Sequence, residues 1–161
     1  MVSYNSIRNW FDLRGLPVTI PREGRSVGTV DNFFYKEGTN AVYALRVKAG
    51  IFGFKALMSS AIRTIRLDAV TVASEQMLID ESNDGELTQL PLGNNLFSYK
   101  VLSEKGTFLG TIENIYLAIN PPVVLRIAAF QLDSGGTLSA NEVTSYSNGE
   151  LYILDKAAKR L

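Results

Sequence analysis

The residues with the best claim to chemistry are written twice. "GTVDN", residues 28–32, returns as "GTIEN", residues 110–114, so Asp31-Asn32 answers to Glu113-Asn114. A carboxylate beside an amide suggests either a metal ligand set or an acid/base residue. One carboxylate per copy, with no second acid nearby, is poor material for both roles. The chain of 161 residues contains no histidine and no cysteine. The usual general base, the usual transition-metal ligands, a thiolate nucleophile and a disulfide are therefore excluded. Neither "GTVDN" nor "GTIEN" has the glycine spacing and Lys-Ser/Thr ending of a phosphate loop, and "GIFGF" lacks a following helix. The expectation is a non-enzyme with no cofactor and no metal, in which the paired acids are polar residues at a bend in a strand.

A second candidate lies between Gly38 and Leu67. It holds Arg46, Lys48, Lys55, Arg63 and Arg66 and no acid, with Ile51, Phe52 and Phe54 set between Gly50 and Gly53. Such a stretch reads either as a solvated face with one core aromatic or as a docking patch of apolar anchors with a cationic rim. The patch would suit an acidic protein surface, anionic lipid head groups or RNA. The matching stretch "AFQLDSGG" keeps Phe130 but loses the charge, which favours a specialised role. Ile7, Trp10 and Phe11 follow an i, i+3, i+4 pattern. They read as a short helix that plugs the end of the fold, or else as a partner-binding or membrane-surface helix.

The elements that must position these residues also repeat. "EGRSVGTVDNFF" (23–34) and "KGTFLGTIENIY" (105–116) align at an offset of 82. Leu45-Arg46-Val47 aligns with Leu125-Arg126-Ile127 at 80, and Val70 and Val72 with Leu151 and Ile153 at 81. The drift places small insertions in loops. "LPVTI" and "SYKVL" alternate as half-buried strands do. Val27, Val30 and Phe33, like Leu109, Ile112 and Ile115, recur every third residue. This predicts a bulge or bend near each Gly-Thr pair. Gly24 and Gly106 mark turns needing positive φ, and Pro121-Pro122 must precede a strand or lie at an edge. Ser139 and Glu142 have capping-box spacing, so a helical turn is expected there and at "MSSA". A brief helix is expected at "DKAAKRL".

The acidic segment "DESNDGELTQLPLGNN" (80–95) reads as a boundary, giving domains 1–80 and 81–161. Short strands between turns suggest two small closed barrels, since closure removes exposed edges. Residues 1–80 carry ten Lys/Arg against seven Asp/Glu, and residues 81–161 six against nine. So mild an asymmetry argues against DNA binding and leaves room for one local patch. No secretory signal and no apolar run of bilayer length is evident, so a cytoplasmic protein without a transmembrane segment is expected.

"LRGLPVTIPREGRSVGTVDNFF", "VYALRV" and "ALMSSAIRTIRLDAVTV" together resemble a PRC-barrel domain, the family named for photosynthetic reaction-centre H subunits. A ribosome-maturation factor also carries one at its carboxy terminus. The second copy is a diverged version: Asn148-Gly149-Glu150 replaces "LDA", and Pro121-Pro122 alters the middle loop. The tandem arrangement looks like proteins of photosynthetic bacteria, cyanobacteria in particular. The resemblance implies a mainly β chain of two tandem PRC-like β-barrels with short helical turns, and no catalytic motif. It also implies a non-catalytic adaptor that assists assembly or stabilisation of a larger complex, photosynthetic or peripheral to a membrane. Its partners would be proteins, with an RNA- or ribosome-associated module using residues 46–66 as the alternative.

Overall fold

A computed structural model describes residues 6–120 and 124–161, so the expectation for Pro121-Pro122 lies outside the described residues. The chain is mainly β. The first half contains β1 (Ser6–Asn9), α1 (Trp10–Leu13), β2 (Pro17–Ile20), β3 (Arg25–Lys36), β4 (Ala41–Lys48), β5 (Phe54–Met58), β6 (Thr64–Ile65), β7 (Val70–Thr71) and β8 (Leu78–Ile79). The second contains β9 (Lys100–Ser103), β10 (Phe108–Asn120), β11 (Val124–Leu132), β12 (Thr137–Ser139), β13 (Val143–Ser147), β14 (Glu150–Ile153) and α2 (Asp155–Ala158). All of these strands join one hydrogen-bonded network.

The pairing within the first half recurs in the second. β2, β3, β4 and β5 form an antiparallel run; β2 also pairs parallel with β7, and β7 antiparallel with β6. β9, β10, β11 and β12 form the same run; β9 pairs parallel with β14, and β14 antiparallel with β13. The bulges repeat too. The ladder slips at Val27 and at Leu109, and again at Asp31 and at Glu113. An extra residue turns the pleat over, which is why the apolar spacing is three. Val30 and Phe33 are buried, as are Ile112 and Ile115. Gly24 (φ 64°) and Gly106 (φ 90°) take the left-handed turns expected of them. The capping box at Ser139 and Glu142 forms over the 3-10 turn Ala140–Glu142, and another 3-10 turn spans Ser59–Ala61.

The halves interlock. β4 meets its counterpart β11 antiparallel, Val42 against Leu125 and Ala41 against Arg126. Equivalent strands meeting in this sense imply a local two-fold relation. The segment leading into each half crosses to the long strand of the other. β1 pairs with β10 from Ser6↔Ile119 to Asn9↔Tyr116. The segment before β9 touches β3, through a Phe34↔Leu92 bridge and a Tyr35 N–H bond to the Pro91 carbonyl. One buried apolar cluster takes in Phe33, Leu45 and Val70 from the first half and Ile115, Ile127 and Leu151 from the second. Tyr35 and Tyr146 also pack across the halves, at 6.1 Å between ring centroids. Burial is the main cause that raises both hydroxyls above the usual tyrosine pKa.

The helix expected from Ile7 is corrected by this arrangement. Ile7 belongs to β1 and is 63% exposed. Only Trp10–Leu13 is helical, capped by Asn9, whose Oδ1 accepts the Phe11 N–H. Trp10 is fully buried, and its Nε1–H donates to Asn94 Oδ1 at 2.7 Å. It therefore plugs the junction between the two lead-in segments. Phe11, part-exposed, stacks on Phe97 at 5.0 Å.

Candidate docking surface

The two acid-asparagine pairs, Asp31-Asn32 and Glu113-Asn114, sit at the bulges and hold chain segments together. Asp31 and Glu113 are the bulged residues, and the asparagine after each receives the other half's lead-in segment. Asn32 Oδ1 accepts the N–H groups of Asn94 and Phe33, both at 2.9 Å. Asn114 Oδ1 accepts from Asn9 Nδ2 at 3.1 Å. No group of three or more candidate metal-ligating side chains occurs among the described residues.

The cationic segment 46–66 is divided among three places. Arg46 points from β4 between two aromatic rings, with its guanidinium carbon 5.3 Å from the centroid of Phe34 and 5.0 Å from that of Phe54. It grips Glu81 with both forks, Nε to Oε2 at 2.8 Å and Nη2 to Oε1 at 2.7 Å. Lys55 pairs with Asp80, and Lys36 lies 3.6 Å from Glu86. The Tyr43 hydroxyl donates to Glu86 Oε2, and partial desolvation with the charges of Asp84 and Glu86 raises its pKa. The acidic segment 80–86 is thus a strap across the outer face of β4 and β5. It is pinned by Leu87, fully buried against Phe34, Ala44 and Ala56. The charge-rich "DESNDGE" beside an acid-free stretch was the available signal for this pairing.

Replacing Glu81 with alanine leaves Arg46 flanked by rings without its carboxylate. Both side chains are about one-fifth exposed. A charge-assisted pair of that kind, discounted for its exposure, is expected to cost about 1–2 kcal/mol in urea unfolding. An unchanged midpoint would show that the Arg46–Glu81 pair does not hold the strap.

What remains outward is the end of the β4–β5 hairpin. Lys48 and Phe54 form its last pair. The turn beyond is a 3-10 turn, Gly50–Phe52, closed by Ala49 N–H to the Gly53 carbonyl at 2.7 Å. Gly50 (φ 63°) and Gly53 (φ 78°) take conformations that side chains resist. They project Ile51, which is 96% exposed, and leave Phe54 45% exposed. The Phe52 side chain lies outside the described residues. Lys48 is exposed and pairs with no acid among the described residues. Beside the hairpin end opens a cleft of about 570 Å³, lined by Arg25, Gly28, Ile51, Lys55, Glu75 and Leu78 among others. Arg25 is held by Glu23 at 2.8 Å and Glu75 at 2.9 Å. These hydrogen bonds, Glu23's first, raise its pKa above the usual arginine value.

Arg63 and Arg66 flank β6, away from this hairpin. The aligned stretch of the second half differs, because Phe130 is fully buried. Asp133, in the turn after β11, spends its carboxylate on the Thr111 N–H and hydroxyl, at 3.0 Å each. Those bonds hold its carboxyl below the usual range.

No protein-family model and no curated protein matches this chain. No helix among the described residues is long and apolar enough to cross a membrane.

Proposed function

We propose that the protein is a non-catalytic adaptor that docks onto another protein and stabilises a larger complex. Each half is read as a PRC-like barrel, the second diverged. The observation that carries the reading is Ile51. Two left-handed glycines hold an aliphatic side chain almost wholly in water at the tip of a hairpin, with Phe54 and a cleft beside it. Ile51 is the most exposed of the large apolar side chains among the described residues, and an apolar anchor beside a pocket is what an interface centre requires.

The strap supports a protein partner over RNA at this surface. Two of the cations that RNA would need, Arg46 and Lys55, already carry carboxylates. The site is on the surface, so Ile51→Asp leaves the fold intact while removing the anchor. Affinity capture from the native source with the wild-type chain should recover a stoichiometric protein that the Ile51→Asp chain loses. Equal capture by both chains, or turnover of a small molecule by the purified protein, would sink the proposal.

A further inference from the structure

A second surface stands apart from the hairpin end, on the other flank of the first half. Two clefts adjoin there and share Pro21. One, of about 270 Å³, is lined by Arg22 and Arg63 with Ser74. The other, of about 380 Å³, is lined by Arg66 with Thr19, Thr71 and Asp68. β6 lies between Arg63 and Arg66 and is fixed by backbone bonds, Arg63 N–H to Thr71 O and Arg66 N–H to Ala69 O, both at 2.8 Å. Arg8 of β1 reaches the same place, with its Nη1 donating to the Arg66 carbonyl at 2.9 Å.

Eight of the ten cations of the first half divide into two sets, Arg14 and Lys48 of the hairpin end standing outside both. On the strap and cleft side, Arg25, Lys36, Arg46 and Lys55 each pair with a carboxylate. On this flank Arg8, Arg22, Arg63 and Arg66 pair with none among the described residues, although Asp68 lines the same cleft as Arg66. Leu67, between Arg66 and Asp68, is 86% exposed.

We propose that this arginine face binds an extended acidic segment of a partner protein. All four cations are arginines, whose planar forks suit bidentate capture of carboxylates. Two adjoining clefts accommodate successive acidic side chains, and the exposed Leu67, next to Arg66 in the chain, offers an apolar contact. Among the described residues no aromatic ring lines either cleft, so they offer none of the stacking platform that single-stranded nucleic acid uses. The strap shows the same preference within the molecule, where acidic residues 80–86 meet Lys36, Arg46 and Lys55. This face is independent of the hairpin end, so variants of one leave the other untouched.

The test is fluorescence anisotropy on the full chain. Its probes are a labelled peptide of alternating Glu and Leu, a single-stranded uridine oligonucleotide of equal charge, and phosphatidylserine vesicles. The peptide should bind tightest, and Arg63→Glu with Arg66→Glu should weaken it roughly tenfold or more, as the loss of charge-assisted bonds implies. Both positions are exposed, and an unchanged melting temperature checks the fold. Ile51→Asp should leave peptide binding unchanged, which separates failure here from failure of the hairpin docking site. Tighter binding to the oligonucleotide or the vesicles, no binding to the peptide, or equal binding by the double variant would overturn the assignment.

Discussion

Replacing Trp10 with alanine is expected to lower the free energy of unfolding by about 3–5 kcal/mol, the range for truncating a fully buried indole. Trp10 has no solvent exposure and meets Phe33 edge-on at 4.8 Å. Phe33 is confined from elsewhere too, because a Cβ on Gly93 would lie 2.1 Å from its ring. The indole N–H also anchors Asn94, which binds Asn32 through its backbone N–H and the Asp31 carbonyl through Nδ2. One substitution therefore opens a cavity and unpins the segment through which the second half grips the first. Urea unfolding followed by far-ultraviolet circular dichroism measures it, since Trp10 is the sole tryptophan. Trp10→Phe should retain part of the packing and lose mainly the hydrogen bond, about 1–3 kcal/mol. A Trp10→Ala loss below about 1.5 kcal/mol would mean that the halves do not depend on this junction.

Gly28→Ala is expected to cost about 3 kcal/mol, the upper end for overpacking. A methyl group there would lie 2.6 Å from the Lys48 carbonyl oxygen and 2.6 Å from Val47 Cγ1. A backbone carbonyl in a paired strand has nowhere to move. The aligned Gly110 is required for a different reason, a φ of 141° together with Asp133 Oδ1 at 2.6 Å from the missing Cβ. Gly24, by contrast, has open space around it and only its φ of 64° to protect. Gly24→Ala should therefore cost roughly 1 kcal/mol. Differential scanning calorimetry of the three alanine variants should rank Gly24 mildest. Gly28→Ala melting with the wild type would remove the close approach of β4 to β3 from the account.

The repeat was legible because a bulge has a local signature. A glycine beside apolar residues spaced by three marks the turned pleat at Val27 and Asp31 and again at Leu109 and Glu113. The alternation of "LPVTI" and the spacing of Ser139 and Glu142 are equally local. Ile7 misled for the opposite reason: an i, i+3, i+4 pattern arose from the end of a strand followed by a single helical turn. The cationic segment was visible by composition, but its division was not. Which carboxylate Arg46 takes is decided 35 residues away, and Arg8 reaches Arg66 across 58. Such pairings follow from strand order, which residue types alone do not encode. Arg22 and Arg8 were missed as members of a basic face because they lie on β1 and the β2–β3 turn, far in sequence from Arg63.

On the proposed reading, the chain works by holding another protein at the end of the β4–β5 hairpin. Photo-crosslinking from position 51 tests it most directly, with benzoylphenylalanine in place of Ile51 and irradiation in extract of the native source. The side chain is exposed, so the larger ring is tolerated there. One dominant crosslinked protein is expected, absent when the same group is placed at the exposed Phe108 of the second half. Crosslinks to lipid or RNA, or the same products from both positions, would contradict it.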